Sequence, residues 1–360
     1  MNTVTMFPSA LPAATIPHRK IIRTWLRAVS GRNTALALGL VTLDLILFVL
    51  AIAATVSIRP AGLKILFGAL AGLVIARLFI LGHDACHQSF TPHRRLNAWL
   101  GRLVFLPSLT PYSLWDVGHN VVHHGYTNLK DFDMVWRPST QAEYAAMPRW
   151  RRVVERIYRS GWAPWLYYLV EIWWKRMYFP SRKQMPTRRR VFVLDSLLVS
   201  GAAILWIATL LAAAHYSGQS ATVTILAGFV MPFLVWNGFI GFVVYAHHTH
   251  PQIAWYADKG HWAEAQPFVS TTVHLFFDPV LGVDMDAVLH NIMQHTAHHV
   301  DMSIPLYRLK QAQAILEARM PGRIVVQRFS WRWYFDTARR CKLFDYSRGC
   351  WTDFSGRPTS

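Results

Sequence analysis

Four stretches, residues 34–56, 63–81, 191–214 and 223–245, are each long and apolar enough to cross a hydrocarbon layer of about 30 Å, and nothing else limits the fold as strongly. They fall into two pairs. The link within the first pair, residues 57–62, is short and holds Pro60; the link within the second, residues 215–222, carries no formal charge. Composition agrees with a membrane environment: 53% of the 360 residues are hydrophobic and 16% charged, against about 25% charged in an ordinary soluble domain. A disordered chain, a collagenous one and a typical cytosolic enzyme are excluded. Lys and Arg outnumber Asp and Glu by 37 to 19, but the surplus sits between and beside the apolar runs. It is read as facing a membrane surface, with no nucleic-acid partner.

The arginines also orient the chain. Arg149, Arg151, Arg152, Arg156, Arg159 and the run Arg188, Arg189, Arg190 lie between the two pairs of runs. The positive-inside rule then puts the N-terminus, this central segment and the C-terminal tail on the cytoplasmic side, against only Arg59 and Lys64 on the other. Pro8, Pro12 and Pro17, then Arg19, Lys20, Arg23 and Arg27, precede Thr34 with no continuous apolar core, so a cleavable leader is not expected and the first run anchors itself. Cys86, Cys341 and Cys350 form no spaced framework, which argues against a disulfide scaffold. Residues 162–178, dense in Trp and Tyr and interrupted by Pro164 and Glu171, are expected to form a helix in the plane of the headgroups. The same holds for residues 96–109, and residues 306–320 read as one amphipathic helix. The resulting order is a cytoplasmic segment (1–33), a transmembrane hairpin (34–81), a cytoplasmic and interfacial segment (82–190), a second hairpin (191–245) and a cytoplasmic cap and tail (246–360).

Histidine carries the chemistry. Of seventeen, twelve fall in four clusters: His83 and His87; His119, His123 and His124; His247, His248 and His250; His290, His295, His298 and His299. On a helix, residues three or four apart share a face, so His83 with His87, His119 with His123, and His295 with both His298 and His299 are each expected to aim at one place. The doublets His123-His124 and His298-His299 diverge by about 100° and can serve two neighbouring ions. Eight or nine imidazoles also exceed what one four- or six-coordinate ion can use. With four spans every cluster falls on one side of the bilayer, whereas a fifth span at 162–178 would separate them. Imidazole suits Zn, Cu, Fe and Ni alike. Asp84, Asp116, Asp131, Asp133 and Asp301 are candidates for orienting ligand rings, Asp84 and Asp301 equally for capping helices. Tyr112, Trp115 and Trp136 are read as interfacial anchors, with the lining of a substrate path as the alternative, and the isolated His18, His93, His215, His261 and His274 as surface or capping residues.

The motifs HDACH (83–87), HNVVHH (119–124) and HTAHH (295–299) resemble the three histidine boxes of the integral-membrane fatty acid desaturases. The similarity runs from about residue 81 to 309 and includes FTPHRRLNAWLG after the first box, HHGYTN around the second and HTHP at 248–251. It implies a non-haem centre of two Fe ions that activates O2. Two electrons would come from a ferredoxin or small cytochrome, and hydrogen would leave adjacent carbons of a fatty acyl chain. Position by position it implies His83, His87, His119, His123, His124, His295, His298 and His299 as metal ligands, with His248 as a ninth. Gln88 and His247 depart from the common pattern, and the roles of His247, His250 and His290 stay open, His290 being the best spare ligand. An unactivated methylene has no acidic proton and no polar handle, so acid/base side chains alone cannot oxidise it. The expected fold is an all-α membrane protein, two transmembrane hairpins under a cytoplasmic helical cap. The same superfamily's hydroxylases, carotenoid ketolases and acetylenases remain open, as does a zinc-dependent lipid hydrolase. A metal transporter is disfavoured, because only Asp44 lies near the centre of a span.

Overall fold

The computed structural model describes residues 16–360. Residues 1–15, and with them Pro8 and Pro12, on which the expectation of no leader partly rests, lie outside the described residues. Within these bounds the protein is mostly helical. Among the described residues, four helices are long and apolar enough to cross a membrane: Thr34–Ser57, Ala61–Cys86, Arg190–Tyr216 and Ala221–His248. In lipid a backbone must satisfy its own hydrogen bonds, which a continuous helix does.

The second of these helices is the hub. Over half of its apolar window is buried, against 17% for the first and third, whose exposed leucines and valines are what a helix presents to hydrocarbon. Two glycines in the run GALAG make this possible. A Cβ at position 68 would lie 2.1 Å from the Ala227 carbonyl oxygen, and one at position 72 would lie 2.7 Å from the Pro232 carbonyl oxygen. Small residues four apart thus let the second and fourth helices meet backbone to backbone. The fourth helix widens into a π-turn over Leu226–Val230 just before Pro232, which supplies no N–H and disturbs a regular ladder.

Buried charged groups on these helices are paired. Asp44, fully buried, takes Arg77 at 2.7 Å and His290 at 2.6 Å; Arg102 holds Asp195 at 2.8 Å; Lys64 Nζ donates to the Thr55 carbonyl at 2.8 Å. Asp44 therefore ties the first long helix to the second and to the segment that leads into the last histidine motif.

Two helices overrun their apolar sequence. The second continues to Cys86 and the fourth to His248, so His83, His247 and His248 ride on the final turns of long helices. Hydrophobicity ends where burial against protein replaces burial against lipid, and the helical ladder does not end there. Residues Arg94–Phe105 are helical, and the aromatic stretch folds as Pro164–Tyr167 followed by a π-helix, Tyr168–Tyr178. Leu309–Arg319 buries Leu309, Ala312 and Leu316 on one face, the amphipathic helix read from the sequence. The all-α expectation needs one amendment: among the described residues there are two small sheets. One pairs Val273–Phe276 with Val325–Arg328 in parallel, the other Leu343–Asp345 with Cys350–Thr352 antiparallel, and neither closes. At three or four residues per strand they offered no run long enough to show alternation.

Candidate metal centre

The nine candidate histidines come from four places in the chain. His83 sits on the last turn of Ala61–Cys86, and His87 caps that helix before Gln88, whose φ of 61° turns the chain away. His119, His123 and His124 follow the short helix Tyr112–Asp116, which widens into a π-helix over Val117–His123. His248 ends the fourth long helix, and His295, His298 and His299 lie on His295–Val300.

Their ring nitrogens gather into two groups. His83, His87, His119, His124 and His298 form one, and His123, His248, His295 and His299 the other; within each, one nitrogen per ring lies within 4.8 Å of the rest. Both doublets divide between the groups. His119 and His123, read from α-helical spacing as partners, are separated. The widened turn is the reason: the His124 N–H donates to the His119 carbonyl five residues back at 2.9 Å, which stacks position 124 over 119 and turns His123 aside. His295 likewise joins His299 and not His298. None of His247, His250 and His290 enters either group. His247 stacks on His295, ring centroids 4.1 Å apart, with Nε2 3.1 Å from Met293 Sδ. His250 accepts from the Gln252 N–H at 3.1 Å, and His290, the favoured spare ligand, is engaged with Asp44.

The donor set fits metal ions. Nε2 atoms of His83 and His119, His119 and His124, and His124 and His298 are each 3.1 Å apart, and those of His248 and His295 are 2.8 Å apart. Imidazoles at right angles about an ion, each about 2.1 Å from it, would be spaced about 3.0 Å. Both nitrogens of His87, Nδ1 of His124, His248, His295 and His298, and Nε2 of His299 are buried with no hydrogen-bond partner. His87, with neither nitrogen paired, and His299, whose Nε2 is free, each keep a buried acceptor that a cation would satisfy. Burial, reinforced by the crowding of other imidazoles, holds His87, His119, His124, His295, His298 and His299 well below the usual imidazole range. The rings are therefore neutral, the form that binds metal.

Of the five carboxylates considered from the sequence, Asp133 touches a histidine of the groups. Fully buried, it accepts from His123 Nδ1 at 3.0 Å and from the backbone N–H of Asn128 and Val135 at 2.8 and 3.0 Å. Asp84 instead accepts from Ser89 and the Leu306 N–H, Asp116 from Asn120, and Asp301 from Ser303, while Asp131 lies outside beside Arg137. Thr127 Oγ1 lies 3.3 Å from His299 Nδ1, leaving Nε2 to face the group.

A narrow apolar cavity ends on both groups. His83, His119, His123, His248 and His295 line one end, and Phe79, Ile80, Ile172, Ile240 and Val243 line its sides. Trp115 also faces it and stacks on His119 with centroids 4.1 Å apart. Tyr112, Trp115 and Trp136 are all buried, which corrects their reading as interfacial anchors. Apart from the histidines and Trp115, whose alternative reading as lining of a substrate path fits its place here, the cavity residues were not named from the sequence, yet a signal was there: Phe79 and Ile80 precede His83 by four and three positions, and Val243 and Val244 precede His247 by the same intervals. The isolated histidines lie outside the site; His18 caps a helix with its side chain, and His93, His215 and His261 are exposed. His274, neither cap nor surface, pairs with Glu317.

A sequence model of the family described as Fatty acid desaturase matches residues 60–331. The sn-1 oleoyl-lipid 12-desaturase of Picosynechococcus sp. is 28% identical over 352 residues, 96% of either chain. The enzyme of that name from Arthrospira platensis is 30% identical over 239 residues, which cover 66% of this chain and 64% of that protein, just under two thirds of its length. The sn-1 acyl-lipid omega-3 desaturase (ferredoxin) of Nostoc sp. is 28% identical over 256 residues, 71% of this chain and 67% of that one.

Proposed function

The chain belongs to the fatty acid desaturase family, and on that premise we propose that it places a C=C bond in the acyl chain of a membrane lipid. In this reading His83, His87, His119, His124 and His298 hold one iron ion and His123, His248, His295 and His299 a second. The observation that carries it is the apolar cavity ending on two adjoining groups of buried imidazoles. Two bound irons would supply the oxidising power that a methylene requires. Overall, O2, two electrons and two protons take two hydrogens from adjacent carbons and leave two waters.

The chain's own residues position and exclude. Asp133 fixes the tautomer and plane of His123, and Trp115 fixes the plane of His119. Phe79, Ile80, Ile240 and Val243 offer an acyl chain apolar walls and leave water no polar foothold. The names of the cyanobacterial relatives, which act on oleoyl-lipid and acyl-lipid, support a lipid-borne substrate. The ferredoxin in the Nostoc enzyme's name and this chain's basic balance support an acidic electron carrier, a ferredoxin or small cytochrome. The four long helices form two hairpins in this reading. Both termini, the segment between the hairpins and the iron site share the cytoplasmic side, supported by the arginines of residues 149–190.

The test is lipid analysis. Membranes holding the full chain, given O2 and reduced ferredoxin, are expected to gain double bonds in glycerolipid acyl chains, read by mass spectrometry, and to gain none when either is withheld. Hydroxyl or keto products would overturn desaturation in favour of the related oxidations.

A further inference from the structure

A second cleft opens on the outside of the protein where the chain enters the third long helix. Its two sides differ in chemistry. Arg188, Arg189 and Arg190 line one side, exposed and without an ion pair among the described residues; Arg189 lies over the Phe192 ring at 5.8 Å. Phe179, Val193 and Leu197, each more than half exposed, line the other and continue down the apolar helix. Three unpaired guanidiniums beside an exposed apolar surface suit a ligand with an anionic head and a hydrocarbon tail.

The cleft lies back to back with the cavity of the metal centre. Leu114 and Tyr178 line the cleft, while their chain neighbours Trp115 and Met177 line the cavity. This wall is pinned in place: the Ser113 N–H donates to Asp195 at 2.9 Å, Arg102 holds the same carboxylate, and Tyr178 Oη meets Ser200 Oγ at 2.7 Å. An acidic protein would complement the arginines but would bring no tail to cover Phe179, Val193 and Leu197. Free phosphate has none either.

We propose that this cleft docks an anionic glycerophospholipid, with Arg188, Arg189 and Arg190 around the phosphate and hydrocarbon along Val193 and Leu197. A lipid docked there is held against the outer wall of the cavity, beside the metal centre. That the docked lipid is a substrate rests on the desaturase reading; the docking itself does not.

The test uses the full chain in bilayer discs of phosphatidylcholine containing graded phosphatidylglycerol, with retained lipid identified by native mass spectrometry. Wild-type protein is expected to enrich phosphatidylglycerol, and R189Q, which leaves two arginines to hold orientation, to lose about fivefold of that enrichment. L197Q, which leaves all three arginines, should weaken retention of the two-chain lipid but not of its short-chain analogue. In desaturation assays R189Q should raise KM for phosphatidylglycerol-borne chains by a similar factor with kcat unchanged. Equal retention of the two lipids by wild type, or unchanged enrichment in R189Q, overturns the proposal. So does weaker ferredoxin binding by R189Q with lipid enrichment intact, which would assign the arginines to a protein partner. Wild-type protein that enriches phosphatidylglycerol through Arg189 yet forms no double bonds would sink the desaturase reading and leave the docking site standing.

Discussion

Replacing Asp133 with asparagine removes one negative charge from a fully buried carboxylate and changes little in shape. The wild-type group accepts three hydrogen bonds, from His123 Nδ1 and the Val135 N–H at one oxygen and from the Asn128 N–H at the other. An amide has one acceptor oxygen, so whichever way the asparagine lies, its NH2 faces a donor. If the oxygen stays with His123, the Asn128 N–H is orphaned; if it turns to Asn128, His123 loses the partner that orients it. Loss of such an outer partner costs roughly tenfold to a hundredfold in metal affinity, or about 1.4–2.8 kcal/mol. His123 belongs to the four-histidine group alone. Purified D133N, dialysed against graded chelator, should therefore give up one iron at a concentration where wild-type protein keeps both, and its oxidation rate should fall with that iron. D131N, at a mostly exposed carboxylate, should behave as wild type. If D133N keeps both irons and its full rate across the chelator series, the role given to Asp133 is wrong.

Other perturbations bear on the frame. R77M leaves the buried Asp44 carboxylate with His290 but without its guanidinium and should cost about 1.5–3 kcal/mol in thermal unfolding, whereas D44L/R77M, which removes both charges, should recover part of it. G68V drives a side chain into the Ala227 carbonyl and should destabilise by about 1–3 kcal/mol or more, while G39V, at a position with open space, should not. Glu317 is held below its usual range chiefly by its hydrogen bond to His274, so the unfolded chain binds more protons and the pair's contribution fades as pH falls below about 4.5. H274Q should flatten that part of a melting-temperature profile taken between about pH 5 and 3. H18A and H215A should keep activity and iron, and loss of iron in either would mean that the ligand set is misassigned.

The four apolar runs were legible because hydrocarbon sets a length that sequence reports directly, and the helices Thr34–Ser57 and Arg190–Tyr216 match their runs closely. The ends of the other two were not. Helix continues through polar His83 and His248 once the surroundings are protein, and no hydropathy signal marks that exchange. The division of the doublets followed from the 100° step between neighbours. The exchange of His123 for His124 as the partner of His119 did not, because a π-turn is set by packing and leaves no periodicity of its own. Trp115 was misread for a related reason: aromatics with polar edges suit both a membrane interface and a wall beside imidazoles, and only position decides. His290 sits in the last histidine cluster and was the favoured spare ligand, but Asp44, far away in the chain, claims it.

The central claim is that nine imidazoles hold two irons, divided five and four. Iron and zinc counted by elemental mass spectrometry on the full-length protein, beside H298A and H299A, test it most directly. The account predicts about two irons per chain in the wild type, with loss from the five-histidine group in H298A and from the four-histidine group in H299A. One zinc and no iron, or two irons undiminished in both variants, would contradict it.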